Sequence, residues 1–368
     1  MDIVLMIIYA AIVLGLLVFI HEGGHYLASR AFGVRVTEFM LGLPGPSIGF
    51  TKNGTKFGVT PFLLGGYAKV CGMEPGEMSP HLERVLAALY RRGTANMEDI
   101  AVDCGISDDE AYEALDELVE WGSVIGPTKK DQYNTYRAPE VKPGKKAVRK
   151  AEAAGEPAPV AYELGQARAV DDPHAFFESE YKQQYRSLPF WKRSVILVAG
   201  VAVNLLFAVL LFVLLFSIIG VDVQTAAGEI RHATVNPLQA IQMGFMYIGM
   251  VIQMVAGLFN PVTAGEVVQN STSIIGIAVA SKAAVDAGLV DIISFVAAIS
   301  VSLGIMNLLP IPPLDGGRFV IEVFQKVSHK VVSMRVLNYL SLAGMGLFIC
   351  FFLFMANQDI QRFVFGNW

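Results

Sequence analysis

Four apolar runs restrict this chain more than any other feature. They cover Ile3 to Ile20, Val195 to Val221, Ile292 to Leu309 and Leu340 to Ala356. Each is close to the ~20 residues needed to cross a hydrocarbon core. Polar interruptions are few: Asn204 and Ser217 in the second run, and Ser300, Ser302 and Asn307 in the third. Lipid satisfies no backbone polar group, so runs of this kind are expected to be helices. Composition agrees, with 54% apolar and 17% charged residues, against roughly a quarter charged in soluble domains. The N-terminus has no basic n-region and no small-residue cleavage site, so the first run reads as a retained span. A fifth stretch, Ala240 to Phe259, is rich in Met and Gly and carries Gln242 and Gln253.

Lys and Arg orient these spans, because cytoplasmic loops carry the excess. Basic residues crowd Arg30 to Arg193 and return from Arg318 to Arg335, whereas Gly220 to Asp291 holds only Arg231 and Lys282. The first and third spans therefore end in the cytoplasm, the second and fourth leave it, and both termini lie outside. This parity requires that Ala240–Phe259 be interfacial or re-entrant. If it crosses, another segment must cross back, with Ile274 to Ala284 the candidate. The net charge of −5 suggests no nucleic-acid partner. Cys71, Cys104 and Cys350 show no paired spacing for a disulfide framework or a thiolate metal site.

The first apolar run leads directly into His21-Glu22-Gly23-Gly24-His25. On a helix, positions i and i+4 share a face, so both imidazoles can bind one metal ion. Glu22 beside them can take a proton from water at that ion. Interfacial histidines at a helix end are the plainer alternative, but ionisable groups at the end of an apolar span are costly and usually functional. A catalytic zinc has three protein ligands and one open position. The best third ligand is Asp315, in Asn307-Leu-Leu-Pro-Ile-Pro-Pro-Leu-Asp-Gly-Gly317. Pro310, Pro312 and Pro313 prevent a regular helix there, and irregular backbone at membrane depth is tolerated where it lines a cavity. The charge pattern independently puts Asp315 on the same membrane side as the two histidines.

These residues resemble the site-2 protease family of intramembrane zinc metalloproteases, which carries HExxH at its first span and N-x-x-P-x-P-x-L-D-G late in the chain. Further stretches resemble the same family: Gly65-Gly66-Tyr67, Pro189-Phe-Trp-Lys-Arg-Ser194 followed by Ala199-Gly200-Val-Ala-Val-Asn204, Ile274-Ile-Gly-Ile-Ala278, and Ser302-Leu-Gly-Ile-Met-Asn307. The likeness covers residues 1–78 and 186–368. It implies a Zn2+ cofactor, substrate-backbone contact by Asn307, and substrate binding near Gly65 and Gly66. It also implies regulated intramembrane proteolysis of a single-span membrane protein. A catalytically inactive scaffold retaining the metal site is the alternative, and the intact Glu22 speaks against it. A metal transporter would need ligands along a path, and only one cluster is present.

Between the first two spans, Phe39 to Met73 has turn signals at Pro44-Gly45-Pro46, Asn53-Gly54 and Gly65-Gly66. Asn-Gly between apolar segments is a strong hairpin signal, so one or two β-hairpins are expected near the cytoplasmic membrane face. Residues 80–137 depart from the family pattern. Leu82–Arg92, Met97–Cys104 and Ser107–Trp121 read as helices, with Ser107 an N-cap and Val124 to Arg137 a two-stranded wing. The third helix carries Asp108, Asp109, Glu110, Glu113, Asp116, Glu117 and Glu120 without a Lys or Arg. Phosphates would be repelled, so this winged-helix-like insert is expected to dock protein. Lys129, Lys130 and the cluster from Lys142 to Lys150 suit anionic lipid. Asp222 to Pro237 is too short for the PDZ domain of many relatives.

The expected architecture is an α-helical polytopic membrane protein of about four spans, with a small membrane-associated β element. Its parts are a first span with HExxH (1–38), a hairpin region (39–79), the insert (80–137), a linker (138–186), a second span (187–221), an extracytoplasmic segment (222–291), a third span with the Leu-Asp-Gly motif (292–336), and a fourth span with the C-terminus (337–368). The expected location is the plasma membrane, with the active site toward the cytoplasm.

Overall fold

The computed structural model describes all residues except 1, 64, 74–76, 130, 132, 144–147, 150, 152, 154–159, 225–228, 364, 367 and 368. Helix α1 (Asp2–Ala31) has 30 residues, about 45 Å at 1.5 Å per residue. It does not stop where the apolar run stops. It carries His21, Glu22 and His25 in its C-terminal half.

A four-stranded sheet follows: β1 (Val36–Leu41), β2 (Ile48–Lys52), β3 (Thr55–Val59) and β4 (Gly66–Val70). Asn53 and Gly54 both take positive φ, 51° and 81°, as a type I′ turn requires. They close the β2–β3 hairpin with Lys52 opposite Thr55. The rest is not a second hairpin. The order is β2-β3-β1-β4, with β1 parallel to β3 and antiparallel to β4. Strand β4 is thereby an edge.

The insert holds α2 (Leu82–Arg92), β5 (Thr94–Asn96), α3 (Met97–Cys104), α4 (Asp108–Glu120) and β6 (Thr135–Arg137). Gly105 is left-handed, and Ser107 and Glu110 form a reciprocal capping box at α4. Leu82, Val85, Leu86 and Leu89 of α2 meet Leu115, Leu118 and Trp121 in a closed core. Among the described residues the expected wing is only partly present. Ile125 bridges Arg137, but the main partner of β6 is β5.

The linker expectation for 138–186 is corrected at its C-terminal end. Helix α5 (Pro173–Tyr181) lies there, and Phe176, Phe177 and Tyr181 pack on the insert core. Three half-buried aromatics in one short polar segment hold it against that core. Much of 144–159, including Lys145, Lys146 and Lys150, falls outside the described residues, as does Lys130.

Helix α6 (Phe190–Val213) continues as a π-type turn to Ile219. A hairpin of β7 (Val221–Gln224) and β8 (Ile230–Ala233) leads to α7 (Pro237–Gly257), α8 (Ala264–Asn270), α9 (Ile274–Ala287) and α10 (Leu289–Asn307). The Pro-rich stretch is irregular, as expected. It is followed by α11 (Asp315–Ser328) and α12 (Met334–Phe363). Helices α6, α7 and α10 share a core of Val209, Phe212, Ile248, Val251, Val301 and Ile305. Asp359 of α12 accepts from the N–H groups of Ser273 and Gly276 at 2.7 and 3.0 Å, tying α9 down by its N-terminus.

Helices α1, α6, α7, α10 and α12 are long and apolar enough to cross a membrane. Their outer faces leave Ile12, Leu206, Leu210, Phe245 and Leu353 exposed. Apolar surface on this scale needs lipid as its solvent, and the fold is that of a multi-pass membrane protein.

Candidate metal centre

His21 and His25 face the same way, one turn apart on α1, and both are buried. Asp315 is the first residue of α11, brought there by the prolines that end α10. Its Oδ2 lies 3.0 Å from Nε2 of His21 and 3.1 Å from Nε2 of His25, and the two Nε2 atoms are 3.3 Å apart. Zinc bonds of 2.0–2.2 Å in tetrahedral geometry place ligand atoms roughly 3.3 Å apart. Two imidazole nitrogens and one carboxylate oxygen at these spacings fit a zinc ion. Among the described residues these three form the group of His, Cys, Asp and Glu able to hold a metal.

Helix α6 shapes the other side through three positions a turn apart. The carbonyl oxygen of Ile196 accepts from Nδ1 of His25 at 2.8 Å, which leaves Nε2 bare for a metal. Gly200 carries no side chain where a Cβ would sit 2.4 Å from Nε2 of His25 and 2.8 Å from Cε1 of His21. The Asn204 amide lies 3.3 Å from Nδ1 of His21. Helices α1 and α6 approach this closely because Gly24 also lacks a Cβ, which would stand 2.5 Å from the Ala199 carbonyl oxygen.

Glu22 turns toward the sheet, where its Oε2 accepts from the N–H of Ala68 at 2.9 Å. Gly66 lies against it, a Cβ there coming within 3.8 Å of Glu22 Cγ. A cavity of about 420 Å³ opens over the site, and Gly65, Gly66, Asn307 and Arg318 are among the residues lining it with the ligand triad. The side-chain N–H of Asn307 donates to the Leu303 carbonyl at 3.0 Å.

All seven residues singled out in the sequence thus meet at one cavity. Sequence reading missed four contributors: the Ile196 carbonyl, Gly200, Asn204 and the Ala68 N–H. Gly200 and Asn204 stood in a stretch resembling the family but without a site role, and Asn204 was also conspicuous as an amide within an apolar run.

The sequence profile of peptidase family M50 matches residues 9–352. Zinc metalloprotease RasP of Geobacillus kaustophilus is 21% identical over 97% of this chain and 98% of its own length. A protein of Agrobacterium fabrum described as "Putative zinc metalloprotease" is 25% identical over 96% of this chain and 95% of itself. One of Thermotoga maritima under the same description is 31% identical over 37% of this chain and 27% of itself.

Proposed function

The chain belongs to peptidase family M50 and is an intramembrane zinc metalloprotease, and from that premise we propose that His21, His25 and Asp315 hold the zinc ion and Glu22 is the base. The observation that carries this is the 3.0–3.3 Å triangle of ligand atoms, with Glu22 next in sequence to one of them. Held by these three residues, a zinc ion would supply Lewis-acid polarisation of the scissile carbonyl and make the attacking water more acidic. Glu22 accepts the proton of the attacking water and passes it to the departing amide nitrogen. Its bond to Ala68 fixes one carboxylate oxygen, leaving the other for the proton.

The substrate we assign is a single-span membrane protein, shortened beforehand by another protease, in regulated intramembrane proteolysis. Helical substrate must unwind to be cut, and an open sheet edge accepts an extended strand. Strand β4 is that edge, and Gly65, Gly66 and Asn307 are assigned to hold the substrate backbone. A scaffold keeping metal only for folding would have no use for a positioned carboxylate beside the ligands.

We keep the four-crossing reading with the site toward the cytoplasm. Helix α6 leaves the site and α10 returns to it, so the chain between them makes an even number of crossings. Helix α9 has 14 residues, about 21 Å, which is short of the ~30 Å core. Helix α7 is therefore assigned as interfacial or re-entrant despite its length.

The insert is assigned a winged-helix topology and a protein partner. The acidic α4 disfavours duplex DNA, so a gel shift with random duplex at low salt should show no tight complex.

The test is cleavage of a tagged single-span substrate in proteoliposomes, with products mapped by mass spectrometry. The cut is expected within or beside the substrate's span. Cleavage confined to a soluble loop would overturn the substrate assignment.

A further inference from the structure

We propose that Asn204 is a positioning residue for His21. Its side-chain carbonyl accepts the Nδ1–H of the imidazole and so keeps Nε2 bare toward the zinc. The inference rests on the ligand reading above and deepens it.

Asn204 is completely buried in the middle of α6. An amide in an apolar span needs a partner. Its backbone carbonyl is already taken by the Ser300 hydroxyl at 2.9 Å, and its Cβ packs on Gly304 of α10. The side-chain amide stands 3.3 Å from Nδ1 of His21, while its Oδ1 is buried with no hydrogen-bond partner.

Nitrogen and oxygen of an amide have the same shape, so which one faces the ring is decided by the hydrogen bonds. With the NH2 group toward Nδ1, the ring would carry its proton on Nε2. That proton would point into the space shared with His25 and Asp315, and Oδ1 would stay unpaired. A half-turn about the terminal torsion takes that proton off Nε2 and gives Oδ1 a donor, and the NH2 group moves to the buried position that Oδ1 held. Oδ1 gains the Nδ1–H, and Nε2 presents its lone pair beside Nε2 of His25 and Oδ2 of Asp315. His25 is held in the same way by the Ile196 carbonyl. Helix α6 thus fixes both tautomers from positions two turns apart, with Gly200 between them leaving room for the rings.

A mere packing role is the alternative, since amides commonly bond across membrane helices. Zinc affinity separates the two. Full-length protein in detergent is compared as wild type, Asn204→Leu, Asn204→Asp and His21→Ala by competition with a chromogenic zinc chelator. Loss of an outer-shell partner typically weakens metal binding about 10–100-fold. Asn204→Leu is expected to show that loss while remaining monodisperse, and Asn204→Asp to stay within a few-fold of wild type because its oxygen accepts the same N–H. Wild-type zinc affinity in folded Asn204→Leu, or equal losses in both variants, would overturn the proposal. If Asn204→Leu does not fold, nitrogen-15 histidine spectra of zinc-loaded wild type decide. A protonated Nδ1 on His21 is expected, and a bare or metal-bound Nδ1 overturns the assignment. His21→Ala holding zinc as tightly as wild type would sink the ligand reading itself, and this inference with it.

Discussion

The backbone N–H of Ala68 donates to Oε2 of Glu22 at 2.9 Å, linking the edge of the sheet to the proposed base. Successive N–H groups of a strand alternate in direction, so the group that would greet an added substrate strand is the one that holds the carboxylate. Positioning of base and substrate is then a property of one edge.

Ala68→Pro removes this single donor, and an edge position with its N–H outward tolerates proline. Zinc content should be unchanged. The single-turnover cleavage rate should fall by about 10²-fold, the scale of a misplaced catalytic group. An unchanged rate would show that Glu22 is oriented by something else.

Gly200→Ala tests the approach of α6 to the metal ligands. In most helices Gly→Ala stabilises by roughly 0.5–1 kcal/mol. Here the new methyl meets both imidazoles at under 3 Å, so the rings must move and zinc should be lost from otherwise folded protein. Gly249→Ala on α7, with nothing within 4 Å, is the control expected to keep its zinc. Equal zinc in both variants would contradict the packing described.

Arg35 couples the insert to the core. Its guanidinium donates to Glu180 at 2.9 Å and to the Gly122 carbonyl at 3.0 Å, and Glu180 also accepts from Ser123 at 2.6 Å. Removing one partner of a largely buried pair costs on the order of 3–5 kcal/mol. Arg35→Ala should therefore make residues 80–180 more protease-sensitive at temperatures where wild type resists. Identical digestion patterns would mean that the insert is held by other contacts.

The chemistry was legible in the sequence and the long-range packing was not. HEGGH and Asp315 stood out as a metal-site pattern by residue type and spacing, although 290 positions separate His25 from Asp315. The Asn53–Gly54 turn and the Ser107 cap were legible because each is local. The parallel pairing of β1 with β3 was hidden because nothing local encodes it. Helix α5 was hidden because its aromatics find their partners on α2 and at Trp121, far away in sequence. Gly200 stood in a family-like stretch, but its place against two imidazoles depends on the packing of two helices that no local pattern encodes.

Burial pushes the Cys71 thiol up to about 11, despite the nearby Arg35. The thiolate is the reactive form, so native Cys71 should resist maleimide at pH 8, while the partly exposed Cys104 reacts sooner. The sign for stability follows from linkage. Between pH 9 and 11 the unfolded chain ionises this thiol and the folded chain does not, so stability should fall as pH rises through that window. Fast labelling of Cys71 in folded protein would contradict its burial.

Glu22→Gln tests the central claim most directly, measured as zinc per chain and as cleavage of the same single-span substrate. The carboxylate is assigned as base and not as ligand. The variant should hold about one zinc per chain, like wild type, while cleavage falls by at least the ~10²–10⁴-fold expected for a lost general base. Cleavage near the wild-type rate with zinc retained would contradict the account.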